Sequence, residues 1–163
     1  MKFISNQTIV TKMKLNELFT EKNVELDMIA EYPEDIIRAG GNLLLKNGSV
    51  REGYIDEMLN SYEKIGAYMV ISPGIAIPHA RPDSSVIKSG ISFIRLKNPV
   101  YFGHPENDPV TLVFSIAGTS GDNHIELIQS LSEILFDKNI VNSLYTVKNK
   151  EDFLKLLSEK EGK

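Results

Sequence analysis

The amino-acid sequence predicts an α/β fold, a mixed β-sheet sandwiched between α-helices, and three observations carry that expectation. Apolar residues recur at helical spacing early and late in the chain, whereas the middle holds short runs rich in β-branched and aromatic residues. No repeat with a period of about 20 to 50 residues and no low-complexity tract interrupts that order, which argues against a repeat architecture. With 163 residues, 42% of them hydrophobic and 25% charged, the chain has the composition of a single globular domain spanning residues 1–163.

The elements follow in order. Residues Val24 to Ala30 alternate loosely and form a short extended segment ahead of Tyr32-Pro33. Pro33 opens a helix, because its fixed φ and missing N–H cost nothing at the first helical position. From Glu34 to Lys46 the residues Ile36, Ile37, Leu43 and Leu44 recur at helical spacing, and Asn47-Gly48 supplies the stop. A second helix is predicted from Gly53 to Ile65, where Ile55, Met58, Leu59 and Tyr62 share a stripe before Gly66.

Strands are predicted at Tyr68 to Ile71, Gly74 to Ile77, Gly90 to Leu96 and Val110 to Ala117, the last nearly all apolar as a centrally buried strand is. A helix returns from Asn123 to Phe136 on Ile125, Ile128, Leu131 and Leu135. Asn123 reads as its cap with Glu126 three residues on, which places His124 in the first turn. The final helix runs from Lys150 to Glu159 after an Asn149 cap, with Phe153, Leu154, Leu156 and Leu157 turned to the core.

Composition narrows the function. The formal charge of −4 is spread along the chain without any block of five like charges, which argues against a nucleic-acid partner. Met1 to Val10 lacks the apolar run of a signal peptide, and nowhere do about eighteen apolar residues follow one another. The expectation is a cytoplasmic chain with no membrane insertion. Cysteine is absent, so disulfides, thiolate metal sites and thiol nucleophiles are excluded together. The chain has no G-x-x-x-x-G-K-[ST] phosphate loop, no H-E-x-x-H pair and no G-x-S-x-G elbow, and its three scattered histidines make no metal site.

Chemistry concentrates in Ser72-Pro73-Gly74-Ile75-Ala76-Ile77-Pro78-His79-Ala80-Arg81-Pro82, where three prolines restrict eleven residues. His79 leaves its strand on a stiffened exit and has little conformational entropy left to lose. Neutral imidazole is a competent nucleophile, and an unperturbed pKa of about 6.5 makes that form abundant near neutrality. The local sequence leaves two readings open: His79 reacts, or it packs at a strand end.

His124 rests on a separate argument, because the free amides and partial positive charge of a helix start attract phosphate oxygens and lower a histidine's pKa. Its alternative is a histidine facing water. If the loop Gly118-Thr119-Ser120-Gly121-Asp122 carries that helix start beside His79, both imidazoles and several amides surround one phosphoryl group. Thr119, Ser120, Asn123 and Arg81 are then the further candidates for holding phosphoryl oxygens, although Arg81 can equally face solvent beside Asp83. The charge of Asp122 opposes phosphate. His104 reads as a surface loop residue, and Ser84 and Ser85 as turn residues.

At Gly74-Ile75-Ala76-Ile77-Pro78-His79 the sequence resembles the active-site signature of the mannitol/fructose-type enzyme IIA family of the bacterial sugar phosphotransferase system. The resemblance extends through the helix at Gly53 to Ile65 and through Asp122-Asn123-His124-Ile125, nearly the whole chain. It implies the mannitol-type enzyme IIA fold and catalytic roles for His79, which accepts the phosphoryl group, and for His124 beside it. The implied donor is a histidine-containing phosphocarrier protein, and the implied acceptor is a cysteine of a IIB protein that serves a membrane IIC permease. No metal or organic cofactor is implied. Val70-Ile71-Ser72-Pro73-Gly74 and Ala80-Arg81-Pro82 are most similar to the ascorbate-type branch, which implies ascorbate or a related sugar or polyol. Mannitol-type members carry an arginine where this chain has Ser61. The same resemblance admits a regulatory domain that reports sugar or nitrogen status through phosphorylation of His79.

Overall fold

The computed structural model describes residues 13–162; the expectation for the first ten residues lies outside that range. Among the described residues, five strands form one mixed sheet: β1 (Val24–Met28), β2 (Val70–Ser72), β3 (Ile75–Ala76), β4 (Gly90–Val100) and β5 (Val110–Ala117), in the order β1-β4-β5-β3-β2. β1 runs parallel to β4 and β3 parallel to β5, while the β4–β5 and β2–β3 pairs are antiparallel. The helices are α1 (Pro33–Lys46), α2 (Glu52–Ile65), α3 (Gly121–Leu135), α4 (Lys138–Thr146) and α5 (Lys150–Glu161).

The two-residue period of the central strands divides the core into two layers. Ile94, Leu96, Val113 and Ala117 pack with Ile36, Ile37 and Leu44 of α1 and with Tyr54 and Met58 of α2. Their neighbours Ile91, Phe93, Leu112, Phe114 and Ile116 pack with Leu127 and Leu131 of α3, Leu144 of α4, and Phe153 and Leu157 of α5. Phe153 stacks on Phe93 with ring centroids 4.6 Å apart, and such a fully buried ring contributes about 1.5–3 kcal/mol. Helices thus cover both faces of the sheet, as the sequence predicts.

Helix α1 lies close against β4 and β5 because Gly40 has no side chain. A Cβ there would collide with the Ser115 hydroxyl, and the Ser92 hydroxyl donates to the Gly40 carbonyl at 3.0 Å. Pro33 occupies the helix start as expected, with Glu34 and Asp35 in the first turn and Lys46 in the last, the charge order that a helix dipole favours.

Several boundaries differ from the sequence reading. Tyr68 lies in a one-turn 3-10 helix, Ala67–Met69, ahead of β2, and β3 is only two residues long because Pro78 cannot donate to a ladder. Strand β4 continues past Leu96 to Val100, with its register broken between Arg95 and Val100 around Pro99. Helix α3 starts at Gly121 and not at Asn123: Ser120 is the cap, its hydroxyl accepting from the Asn123 amide at 3.1 Å. Asn123 therefore sits inside the first turn, and its side chain donates to the Thr119 hydroxyl at 2.6 Å, so the expected pairing of an Asn123 cap with Glu126 is not what starts the helix.

Helix α4 was not legible by periodicity, being nine residues long with Leu144 as its buried residue. Its start is capped by the Asp137 carboxylate, and near its end Arg95 donates to the carbonyls of Leu144 and Val147 at 3.2 and 2.7 Å.

Candidate active site

The segment from Ile77 to Ala80 is held at successive peptide groups by different parts of the fold. The Ile77 amide donates to the Met69 carbonyl at 2.8 Å, and the Pro78 carbonyl accepts from the Ile116 amide of β5 at 3.1 Å. The carbonyl of His79 accepts from the Tyr68 hydroxyl at 3.3 Å. The Ala80 amide donates to the hydroxyl of Tyr54 on α2 at 3.0 Å, and that hydroxyl donates onward to the Ile116 carbonyl at 2.7 Å. Tyr54 is fully buried, and burial pushes its phenol far above the ordinary tyrosine range, so it stays a donor. Upstream, the amide of Gly74, at φ 79°, donates to the Asn107 carbonyl at 2.9 Å, in a conformation that glycine adopts without strain.

These anchors orient a half-buried imidazole. His79 Nδ1 lies 2.7 Å from the Ile77 carbonyl oxygen, which only accepts, so Nδ1 carries the proton and Nε2 keeps its lone pair. Burial lowers the pKa of His79 below 6.5, and the Ile77 hydrogen bond offsets that only in part. The ring is neutral at pH 7, with its free lone pair on Nε2.

His124, in the first turn of α3, stands beside it with ring centroids 4.9 Å apart and planes inclined at 51°. Gly118 makes the approach possible: a Cβ on it would sit 2.7 Å from both the backbone N and the Cα of His124. Burial lowers the His124 pKa first, and the neighbouring His79 lowers it further. Its Nδ1 is buried with no hydrogen-bond partner among the described residues. The edge of Tyr68 closes another flank of His79, at 5.4 Å and 77°.

The remaining candidates are placed less directly. Thr119, Ser120 and Asn123 form the loop and first turn that carry His124, bound to one another as the helix start requires. Asp122 and Arg81 are exposed. His104 is more than a surface loop residue, since its Nδ1 accepts from the amides of Glu106 and Asn107 at 3.1 and 3.0 Å and shapes the loop that supports Gly74. Among the described residues no cluster of His, Asp or Glu side chains could hold a metal ion, and no helix is long and apolar enough to cross a membrane.

Sequence reasoning missed Tyr54, Tyr68 and Gly118. Tyr54 was legible in part, because it stands four residues before Met58 and eight before Tyr62 on one helical stripe. Gly118, directly after an apolar strand, carried the general signal of a close backbone approach. Nothing local marked Tyr68.

Residues 17–160 match the family model described as phosphoenolpyruvate-dependent sugar phosphotransferase system, EIIA 2. The ascorbate-specific PTS system EIIA component of Escherichia coli (strain K12) is 32% identical over 147 residues, covering 89% of this chain and 96% of that protein. The solution structure of the mannitol-specific cryptic phosphotransferase enzyme IIA from Escherichia coli superposes with a TM-score of 0.80 at 30% identity, over 90% of this chain and 99% of that one. The mannitol IIA of Escherichia coli, solved in complex with phosphorylated mannitol IIB, gives a TM-score of 0.77 at 29% identity over 86% and 97% of the two chains. With the fold and almost the full length shared, this chain belongs to the EIIA type 2 family and is a phosphotransferase, the enzyme IIA component of a sugar phosphotransferase system.

Proposed function

We propose that His79 accepts a phosphoryl group on Nε2 from a phosphorylated histidine-containing carrier protein and passes it to a cysteine of a IIB protein. The observation that carries this reading is the Nδ1 hydrogen bond to Ile77, which leaves Nε2 unprotonated on an anchored, neutral ring. In the first step the P–N bond of the carrier's phosphohistidine breaks as the Nε2–P bond forms. In the second, a IIB thiolate attacks phosphorus and Nε2 leaves with its electron pair. Both displacements are in line through a loose transition state, so positioning and hydrogen bonds to the equatorial oxygens supply most of the catalysis. Neither step calls on a metal or an organic cofactor.

His124 is the catalytic neighbour. Its ring stands 4.9 Å from that of His79, and the start of α3 that carries it favours negative charge. Thr119, Ser120 and Asn123 serve by shaping that helix start, and Arg81, exposed two residues after His79, meets phosphoryl oxygens as a docked partner delivers them. Residues 1–163 act as one phosphoryl-carrier domain in the cytoplasm, where a relay fed by phosphoenolpyruvate draws its phosphoryl groups. The membrane IIC permease is reached only through IIB. Ascorbate or a related sugar or polyol is the cargo, on the strength of the motif flanks and of a relative named ascorbate-specific.

Incubation with phosphoenolpyruvate, enzyme I and the carrier protein tests the reading by intact mass. An acid-labile phosphoryl adduct that disappears on adding a IIB protein is the expected result, and absence of the adduct overturns the assignment.

A further inference from the structure

Tyr68 stands eleven residues before His79 in sequence, yet its hydroxyl reaches the His79 carbonyl and its ring edge meets the imidazole. The phenol has one proton to give, and it goes to that carbonyl. Burial raises the Tyr68 pKa, so the phenol keeps its proton near neutral pH.

Packing alone does not account for this residue. Tyr68 is 36% exposed, and phenylalanine would fill the same space, so what the hydroxyl adds is its hydrogen bond to His79. The anchors at Pro78 and Ala80 hold the groups flanking His79, whereas Tyr68 holds the carbonyl of His79 itself.

We propose that Tyr68 is a positioning residue for phosphoryl transfer: it fixes the His79 main chain so that Nδ1 stays on the Ile77 carbonyl and Nε2 stays free for phosphorus. The proposal rests on the phosphoryl-carrier reading of His79. Small losses of alignment at a reacting atom slow transfer without weakening partner binding, and that separates positioning from docking.

The test compares wild type with Tyr68→Phe in single-turnover transfer from the phosphorylated carrier protein. Tyr68→Phe lowers the transfer rate about five-fold with unchanged KM for the carrier, as losing an ordinary hydrogen bond implies. Nitrogen-15 NMR of the unphosphorylated protein provides a readout that needs no carrier: the share of His79 protonated at Nδ1 falls in Tyr68→Phe.

A wild-type rate in Tyr68→Phe, a raised KM with unchanged rate, or an unchanged tautomer overturns the proposal. If wild type takes up no phosphoryl group, the carrier reading fails on its own, and the tautomer measurement alone then decides whether Tyr68 governs the imidazole.

Discussion

His79 and His124 stand 4.9 Å apart and are held in opposite ways. Around His79 the peptide groups from Ile77 to Ala80 have hydrogen-bond partners on β5, α2 and the turn before β2, and the ring itself is tied through Nδ1. His124 owes its position to the start of α3 and to the missing side chain of Gly118, while its buried Nδ1 has no partner among the described residues. On the proposed relay, the difference suits complementary tasks. A group that forms and breaks a bond gains from a fixed direction of attack, because alignment is then settled before reaction. A group that meets a phosphoryl oxygen only transiently gains from a ring that its Nδ1 does not tie down, so that it can turn towards the oxygen.

Removing the fixed partner has the largest expected effect. His79→Ala abolishes the acid-labile adduct in intact-mass measurements, and full phosphorylation of that variant would refute the site. His124→Ala keeps acceptance from the carrier but slows onward transfer to IIB, on the order of a hundred-fold if His124 donates to the transferring group. A stopped assay that follows loss of label to IIB separates the two steps, and equal slowing of both would remove the distinction between the histidines.

Gly118→Ala attacks the comparison at its structural root. The added Cβ would meet backbone atoms of His124 at 2.7 Å, so the start of α3 must move away from His79. Onward transfer falls about ten-fold, and stability to urea drops by about 1–3 kcal/mol. An unchanged transfer rate would show that the spacing of the two rings is not critical.

The smallest effect is that of pH. Both imidazoles have pKa values below 6.5 in the folded chain, His79 through burial and His124 through burial and then its neighbour. Protons therefore bind the unfolded chain more tightly, and the corresponding stability is present above pH 6.5 and lost as pH falls through the folded-state values. The urea midpoint should decline below pH 6.5, less steeply in a His79→Asn/His124→Gln variant, and the acid limb of phosphoryl acceptance should have its midpoint below 6.5. A midpoint above 6.5 would contradict the buried, neutral state of the pair.

The long periodic segments were legible because their spacing reports the face they bury: α1, α2, α5 and the apolar strand β5 all lie where the pattern places them. Shorter elements were not. Helix α4 has nine residues, too few for a clear period, and the start of α3 depended on whether Ser120 or Asn123 found the free amide first. Three hydroxyl and amide side chains in five residues make several caps chemically plausible, and only the packed helix selects one.

The site divides in the same way. Prolines flanking a histidine, in a chain without cysteine, marked His79 as the candidate nucleophile before any contact was known, because proline stiffness and residue chemistry are local properties. Which nitrogen is free, how close His124 comes, and that Tyr54 and Tyr68 reach the same turn are settled only when β3, β5, α2 and α3 assemble. A tautomer depends on where a carbonyl points, and a close approach depends on a missing Cβ across two elements, and neither is a property of neighbours in sequence.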